Sequence, residues 1–143
     1  MPMEVPVNYL AVITSAVVNM VIGTLWYGPL FGKKWIALMK FTPEQMAEGK
    51  AKGMGKLYAM AALTSFLMAY VLSHSLTFAS AYTETTGVTA GLMVGFWSWL
   101  GFAVPITISS VLWEGKSWTL WILNIGYYLV TLLAVGVILA VWQ

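Results

Sequence analysis

The sequence of 143 residues contains no Cys, Asp or Arg, and His74 is its only histidine. Structural zinc, iron–sulfur and disulfide sites need clustered Cys or His, and a catalytic zinc needs about three protein ligands. One His and five scattered Glu do not supply such a set. The sequence therefore predicts no metal site and no bound cofactor, and the missing cysteines leave the redox compartment undetermined.

Charged residues are also scarce. They make up 8% of the chain, against about 25% in soluble domains, while 60% is hydrophobic. Four stretches of 28, 27, 29 and 27 residues contain no Asp, Glu, Lys or Arg. A helix of about 20 apolar residues crosses the hydrocarbon core. We therefore expect one all-α integral-membrane domain over 1–143, with four transmembrane helices at 6–28, 57–79, 88–112 and 118–142.

The lysines predict how these helices are oriented. Six lie in the predicted loop 29–56 and Lys116 lies in the loop between the third and fourth helices. Because positively charged short loops stay in the cytoplasm, both termini and the Glu84 loop should be outside. The helices then form two antiparallel hairpins. The first 30 residues lack a basic segment before their long apolar run, so we expect a retained helix and not a cleaved signal peptide. The net charge of +2 reflects this lysine placement, and we assign no nucleic-acid role.

The first cytoplasmic loop contains two further helix signals. From 30 to 40, apolar and basic residues occupy opposite helical faces, which predicts an amphipathic segment at the membrane surface. Thr42-Pro43-Glu44-Gln45 has the pattern of a capping box at the start of a short connector helix. Residues near the predicted membrane boundaries are expected to act as interface anchors: Trp26, Tyr27, Lys33, Lys34, Trp35, Trp113 and Trp118.

Small residues recur every four positions in two of the predicted helices, and this spacing permits close helix approach in lipid. We expect helix packing at Ser15, Gly23, Gly87, Gly91, Gly95 and Pro105, with Pro105 kinking the third helix. The glycine face has two interpretations. It packs within the chain, or it forms a seam to a second copy or to another membrane protein.

Polar side chains in hydrocarbon need partners and are the best functional candidates. We expect Asn19 and Asn124 to share a polar network, either as plain interhelical hydrogen bonds or as a hydrated vestibule. His74 is a packing residue or, alternatively, a proton relay or haem ligand, with Glu84 as its nearest plausible charged neighbour. Trp97 and Trp99 point in different directions, and at least one should face the interior or a cavity. These five form the predicted ligand or polar-cavity set: Asn19, Asn124, His74, Trp97 and Trp99.

Three segments carry a recognisable pattern. They are 8–12 with Gly23-x-x-Trp26-Tyr27-x-Pro29-Leu30-Phe31-Gly32-Lys33-x-Trp35, then 99–102, then 114–116 with Asn124-x-Gly126-Tyr127-x-Leu129 and 136–142. Together they resemble the family of domain of unknown function 1761. The resemblance implies a small four-helix membrane protein of bacterial type, in the inner membrane, and no settled activity. Tyr128 stands where many members are expected to have His.

Three functions remain open at this stage. The first is a small-solute permease or channel-like protein acting as a homo-oligomer. The second is a non-catalytic accessory protein that packs against a membrane partner. The third, an intramembrane enzyme on lipid-like substrates with His74 and Glu84 as its acid–base pair, has the smallest chemical inventory, so we do not expect an enzyme.

Overall fold

The computed structural model describes residues 4–143, and the regular elements in this part of the chain are all helical. Four helical stretches are long and apolar enough to cross a membrane. We call them span 1 (Tyr9–Leu30), span 2 (Gly55–Thr83), span 3 (Gly87–Leu112) and span 4 (Trp118–Val141). The prediction of an all-helical protein with four membrane-length helices is confirmed. Span 2 extends beyond its predicted limits at both ends.

Eight α-helices and two wider π-helical turns make up the described chain. The α-helices are α1 (Tyr9–Leu25), α2 (Gly32–Met39), α3 (Pro43–Lys52), α4 (Gly55–Thr83), α5 (Gly87–Ser98), α6 (Val104–Thr107), α7 (Ser109–Leu112) and α8 (Trp118–Val141). The π-helical turns are Trp26–Leu30, which completes span 1, and Trp99–Ala103, which precedes Pro105 in span 3. Both therefore lie beside a proline, which interrupts the regular backbone ladder.

Span 1 kinks near its end at Gly28, whose φ of −112° and ψ of −106° are not helical. Helix α2 follows with its lysines exposed. At α3 the predicted capping box is confirmed: the Gln45 amide donates to Thr42 Oγ1 over 3.1 Å, and the Thr42 amide donates to Gln45 Oε1 over 2.9 Å. This reciprocal pair explains why a short polar helix begins at Pro43.

Span 1 packs against spans 2 and 4, span 2 also contacts spans 3 and 4, and span 3 packs most extensively against span 4. The closest approach is between spans 3 and 4, where a Cβ added to Gly91 would lie 2.5 Å from the Gly136 carbonyl oxygen. A Cβ on Gly95 would lie 2.5 Å from the Leu132 carbonyl oxygen. These glycines let two backbones touch inside the chain, as the intramolecular interpretation of the face requires.

Gly87 does not take part in this approach. Its φ is +65°, and no atom lies within 4 Å of the position of a Cβ. The expectation that Gly87 packs helices is wrong, because the residue opens α5 in a left-handed conformation that suits glycine.

The two ends of the bundle differ in charge. The lysine end carries α2, α3 and the loop with Lys116. The opposite end is formed by residues 4–8, 84–86 and 142–143, and no Lys occurs there among the described residues. We call it the lysine-free end. At this end, the Asn8 Nδ2 donates to the Trp142 carbonyl over 3.2 Å, and this bond joins the start of span 1 to the end of span 4.

Candidate functional site

A cleft of about 630 Å³ lies between spans 2, 3 and 4. Span 2 contributes one wall from Ala61 to Ser75, span 3 contributes the other from Ser98 to Thr107, and span 4 forms the floor. Rim residues such as Phe102 and Ile106 are each 67% exposed, so the cleft opens onto the bundle surface between spans 2 and 3. None of the described residues that line it is charged. Its polar groups are amides and hydroxyls.

Asn19 reaches this cleft from span 1 and joins three helices. Its Nδ2 donates to Ser65 Oγ in span 2 over 2.7 Å, and its Oδ1 accepts from Tyr127 Oη in span 4 over 2.7 Å. Gly23, one turn further along span 1, makes room for the tyrosine: a Cβ there would lie 3.1 Å from Tyr127 Oη. The half-buried amide is thus held on both sides by neutral partners, which fixes its orientation.

Asn124 belongs to a neighbouring group. Its Oδ1 accepts from Tyr27 Oη over 2.7 Å. The rings of Tyr27 and Tyr127 meet edge to face at 5.3 Å, so Asn19 and Asn124 are linked through two tyrosines without bonding to each other. The two asparagines were expected to share one polar network. They belong instead to two hydrogen-bonded groups that meet at the tyrosine rings.

Two aromatic residues predicted as interface anchors turn into the bundle. Besides Tyr27, Trp26 donates its indole N–H to the Leu123 carbonyl over 3.1 Å, and its ring lies against Gly126. Interior carbonyl and amide oxygens satisfy their donors, so these two half-buried residues also hold span 1 against span 4. Trp35 is half-buried with its ring 5.3 Å from that of Tyr27. The other four predicted anchors are exposed: Lys33, Lys34, Trp113 and Trp118.

The central tryptophans of span 3 face opposite ways. Trp99 donates its indole N–H to the Ile125 carbonyl over 2.8 Å, whereas Trp97 is 62% exposed. Trp99 therefore braces spans 3 and 4 within the wide turn before Pro105. Beyond this turn, Thr107 accepts from the Trp121 indole over 3.0 Å and donates to the Ala103 carbonyl over 2.6 Å. These bonds hold together the region in which Pro105 removes a backbone donor.

Thr131 gives the cleft an unusual feature. The residue lines the cleft and is only 2% exposed, yet its Oγ1 makes no hydrogen bond within 3.5 Å, and the Tyr127 hydroxyl one turn earlier is the polar group that faces it. Leaving a buried hydroxyl unpaired costs about 1–3 kcal/mol. Ser15, fully buried beside span 2, also has an unpartnered hydroxyl, but it does not line the cleft.

His74 lies apart from the cleft. Its Nδ1 is 2.9 Å from the Tyr70 carbonyl oxygen, and it lines a separate pocket with Glu4 near the lysine-free end. Glu84 is not its neighbour: α4 continues unbroken for nine residues beyond His74, so Glu84 lies about 15 Å further along the axis. The predicted His74–Glu84 acid–base pair is therefore wrong.

Four residues of these sites were not among the predicted site residues: Ser65, Tyr127, Thr131 and Glu4. Tyr127 and Thr131 follow Asn124 at positions i+3 and i+7, which place polar residues on one helical face. Ser65 begins a run of small residues at four-residue spacing with Ala69 and Ser73. Both patterns in the sequence could have predicted that these residues face the interior of the bundle. Nothing in the sequence places Glu4 beside His74, because residues 4–8 have no regular structure.

Comparison with known proteins adds a family to this geometry. No curated protein and no solved structure matches the chain. A family model described as "Protein of unknown function (DUF1761)" matches residues 10–140, which cover the four spans except for the first residue of span 1 and the last residue of span 4. The resemblance seen in the sequence is thereby confirmed. The chain belongs to the DUF1761 family of proteins of unknown function.

Proposed function

We propose that this protein is a small permease-like membrane protein that binds an uncharged, hydroxyl- or carbonyl-bearing solute in the cleft between spans 2, 3 and 4. The observation that carries the proposal is the uncharged polar lining of a cleft of about 630 Å³, a size typical of small-molecule sites. An ion would lose its hydration shell there without gaining a countercharge. A neutral solute loses less and gains hydrogen bonds.

The lining residues offer both hydrogen-bond donors and acceptors. Asn19, Ser65 and Tyr127 are already joined to one another, so the site is organised before a solute arrives. The rim of Phe102 and Ile106 supplies apolar contact for the remainder of the solute.

Transport also requires a path between the two sides, and one chain leaves the cleft open laterally between spans 2 and 3. We propose that a second copy covers this opening, in the inner membrane of a bacterial-type cell, with the lysine end in the cytoplasm. Native mass spectrometry in mild detergent tests this part. A homo-oligomer supports it, whereas a stoichiometric foreign subunit favours the accessory role instead.

The flux of solutes into proteoliposomes tests the transport function. We expect faster equilibration of neutral polyols and amides than in protein-free liposomes, and no conductance to K⁺ or Cl⁻. Asn19→Leu should lower the flux at least about tenfold, because it removes both bonds that hold the cleft wall. Thr24→Val is the matched control, since Thr24 bonds only to the Met20 carbonyl of its own helix. Equal flux in both variants, or no flux of any neutral solute, would refute the proposal.

A further inference from the structure

A second pocket, of about 610 Å³, lies at the lysine-free end of spans 1 and 2. Its charged and aromatic lining residues are Glu4, Tyr9, Tyr70 and His74, and residues 5–7 line the remaining side. The pocket shares no lining residue with the central cleft, so an inference about it does not depend on the proposed transport function.

Three aromatic rings stand side by side in this pocket. The centroids of the Tyr9 and Tyr70 rings are 6.3 Å apart with planes inclined by 21°, and the Tyr70 and His74 rings are 4.7 Å apart. Tyr9 is 57% exposed, so its ring is accessible. Ring faces carry negative potential and attract cations within about 6 Å, most effectively cations that are weakly hydrated.

The charges around the pocket also favour a cation. Glu4 adds a carboxylate to the aromatic walls. The lysine-free end also contains Glu84, and none of its described residues is a Lys. An anion would meet only repulsion from Glu4. A metal ion is a poor fit because no group of three or more His, Cys, Asp or Glu occurs among the described residues. An alkylated ammonium needs one carboxylate and several ring faces, which is what these walls offer.

The pocket also lies at the right depth for such a group. Tyr9 is the first residue of span 1, and its ring stacks on Tyr70. Asn8 is tied to Trp142, just beyond the end of span 4. Asn8 and Trp142 line a neighbouring pocket with Ser73, Thr77 and Ser80, so spans 1 and 4 end beside the stretch of α4 that contains His74. In a membrane, the ends of two spans lie near the lipid headgroups, where Tyr and Trp collect.

We propose that Glu4, Tyr9, Tyr70 and His74 form a binding site for an alkylated ammonium group such as choline. The group has two sources, a zwitterionic lipid headgroup or a free soluble amine. In either case the cation lies against the tyrosine rings with its charge facing Glu4.

His74 provides a direct reporter because it is the only histidine in the sequence. The full-length protein, labelled with ¹³C-histidine and purified with a tag free of histidine, is placed in phosphatidylglycerol nanodiscs and titrated with choline chloride. We expect a saturable change in the His74 ring resonances that an equal concentration of KCl does not produce. A resonance already shifted in phosphatidylcholine nanodiscs, and then insensitive to choline, identifies the headgroup as the source. A response to soluble choline in both lipids identifies the free amine.

The variants have matched controls at the same end of the bundle. Glu4→Gln and Tyr9→Leu should each weaken choline binding about threefold to fivefold. Glu84→Gln and Tyr82→Leu should leave it unchanged, since neither residue lines the pocket and Tyr82 is 91% exposed. Both pocket variants replace exposed side chains, so the fold should be retained, and a thermal melt checks this. The proposal is overturned if choline causes no change, if KCl causes the same change, or if Glu4→Gln and Glu84→Gln bind choline alike.

Discussion

Gly91→Ala should destabilise the protein by forcing spans 3 and 4 apart. The added methyl group would lie 2.5 Å from the Gly136 carbonyl oxygen and 2.7 Å from Val137 Cα. Ordinary contacts of a Cβ begin near 3.4 Å, so the helices must separate by roughly 0.9 Å. Both obstructing atoms belong to the backbone of span 4 and cannot move aside as a side-chain tip would.

The expected magnitude combines two opposing effects. Overpacking costs about 1–3 kcal/mol, and a clash between two backbones belongs at the upper end. Alanine is favoured over glycine in a helix by about 1 kcal/mol. The net loss in the free energy of unfolding should therefore be about 2 kcal/mol, measured by SDS titration of the protein in mixed micelles. Such a loss also follows from opening a gap of this width, which removes a quarter to a half of each dispersion contact.

Gly101→Ala provides the matched control. Gly101 lies in the same span, and nothing approaches within 4 Å of the position of its Cβ. This variant should lose no stability, and it should gain up to about 1 kcal/mol from the higher helix propensity of alanine. If Gly91→Ala proves no less stable than Gly101→Ala, the close contact between spans 3 and 4 is not formed. The glycine face would then be free for another partner.

Three further predictions concern the polar groups and the orientation. Tyr27→Phe keeps the ring but deprives Asn124 of its 2.7 Å bond, so the free energy of unfolding should fall by about 1–2 kcal/mol; an unchanged melting temperature would contradict this. Thr131→Val removes the unpartnered hydroxyl at constant shape, so the empty protein should gain about 1 kcal/mol in the same SDS titration, and a loss would show that the hydroxyl has a partner. Because the sequence has no cysteine, single-cysteine labelling of intact cells is clean: an impermeant maleimide should modify Glu84→Cys and spare Lys50→Cys, and the reverse pattern would invert the topology.

The architecture was predictable because long uncharged stretches have few alternatives in lipid. A backbone without water must satisfy its own polar groups, so each such stretch becomes a helix. The capping box at Thr42 was equally predictable, since it depends only on residues three apart in sequence. The limits of span 2 were not. Residues 80–83 are polar enough to lie outside the hydrocarbon but still continue α4, and hydropathy marks only the membrane-embedded part of a helix.

The site was predictable where the hydrogen-bonding groups of a residue have only one kind of partner available. An asparagine at the depth of Asn19 must find a polar partner in the protein, and it does. Trp26 and Tyr27 were harder because an aromatic residue near a helix end has two good environments, the lipid interface and the bundle interior. The rotation of span 1 decides between them. That rotation is set by its packing on spans 2 and 4, which a single sequence does not reveal.

The cleft follows from a feature that no local pattern contains. Glycines draw span 3 onto span 4, while Ser15 and the small residues of span 2 draw span 2 onto span 1. Spans 2 and 3 are therefore each held mainly by a different partner, and they contact each other far less than span 3 contacts span 4. They meet near the turn at 84–86 and leave space between them towards the lysine end, from Ala61 to Ser75 on one side and from Ser98 to Thr107 on the other. The same small residues that produce tight pairs thus produce the opening, and replacing Gly91 should change the cleft as well as the stability.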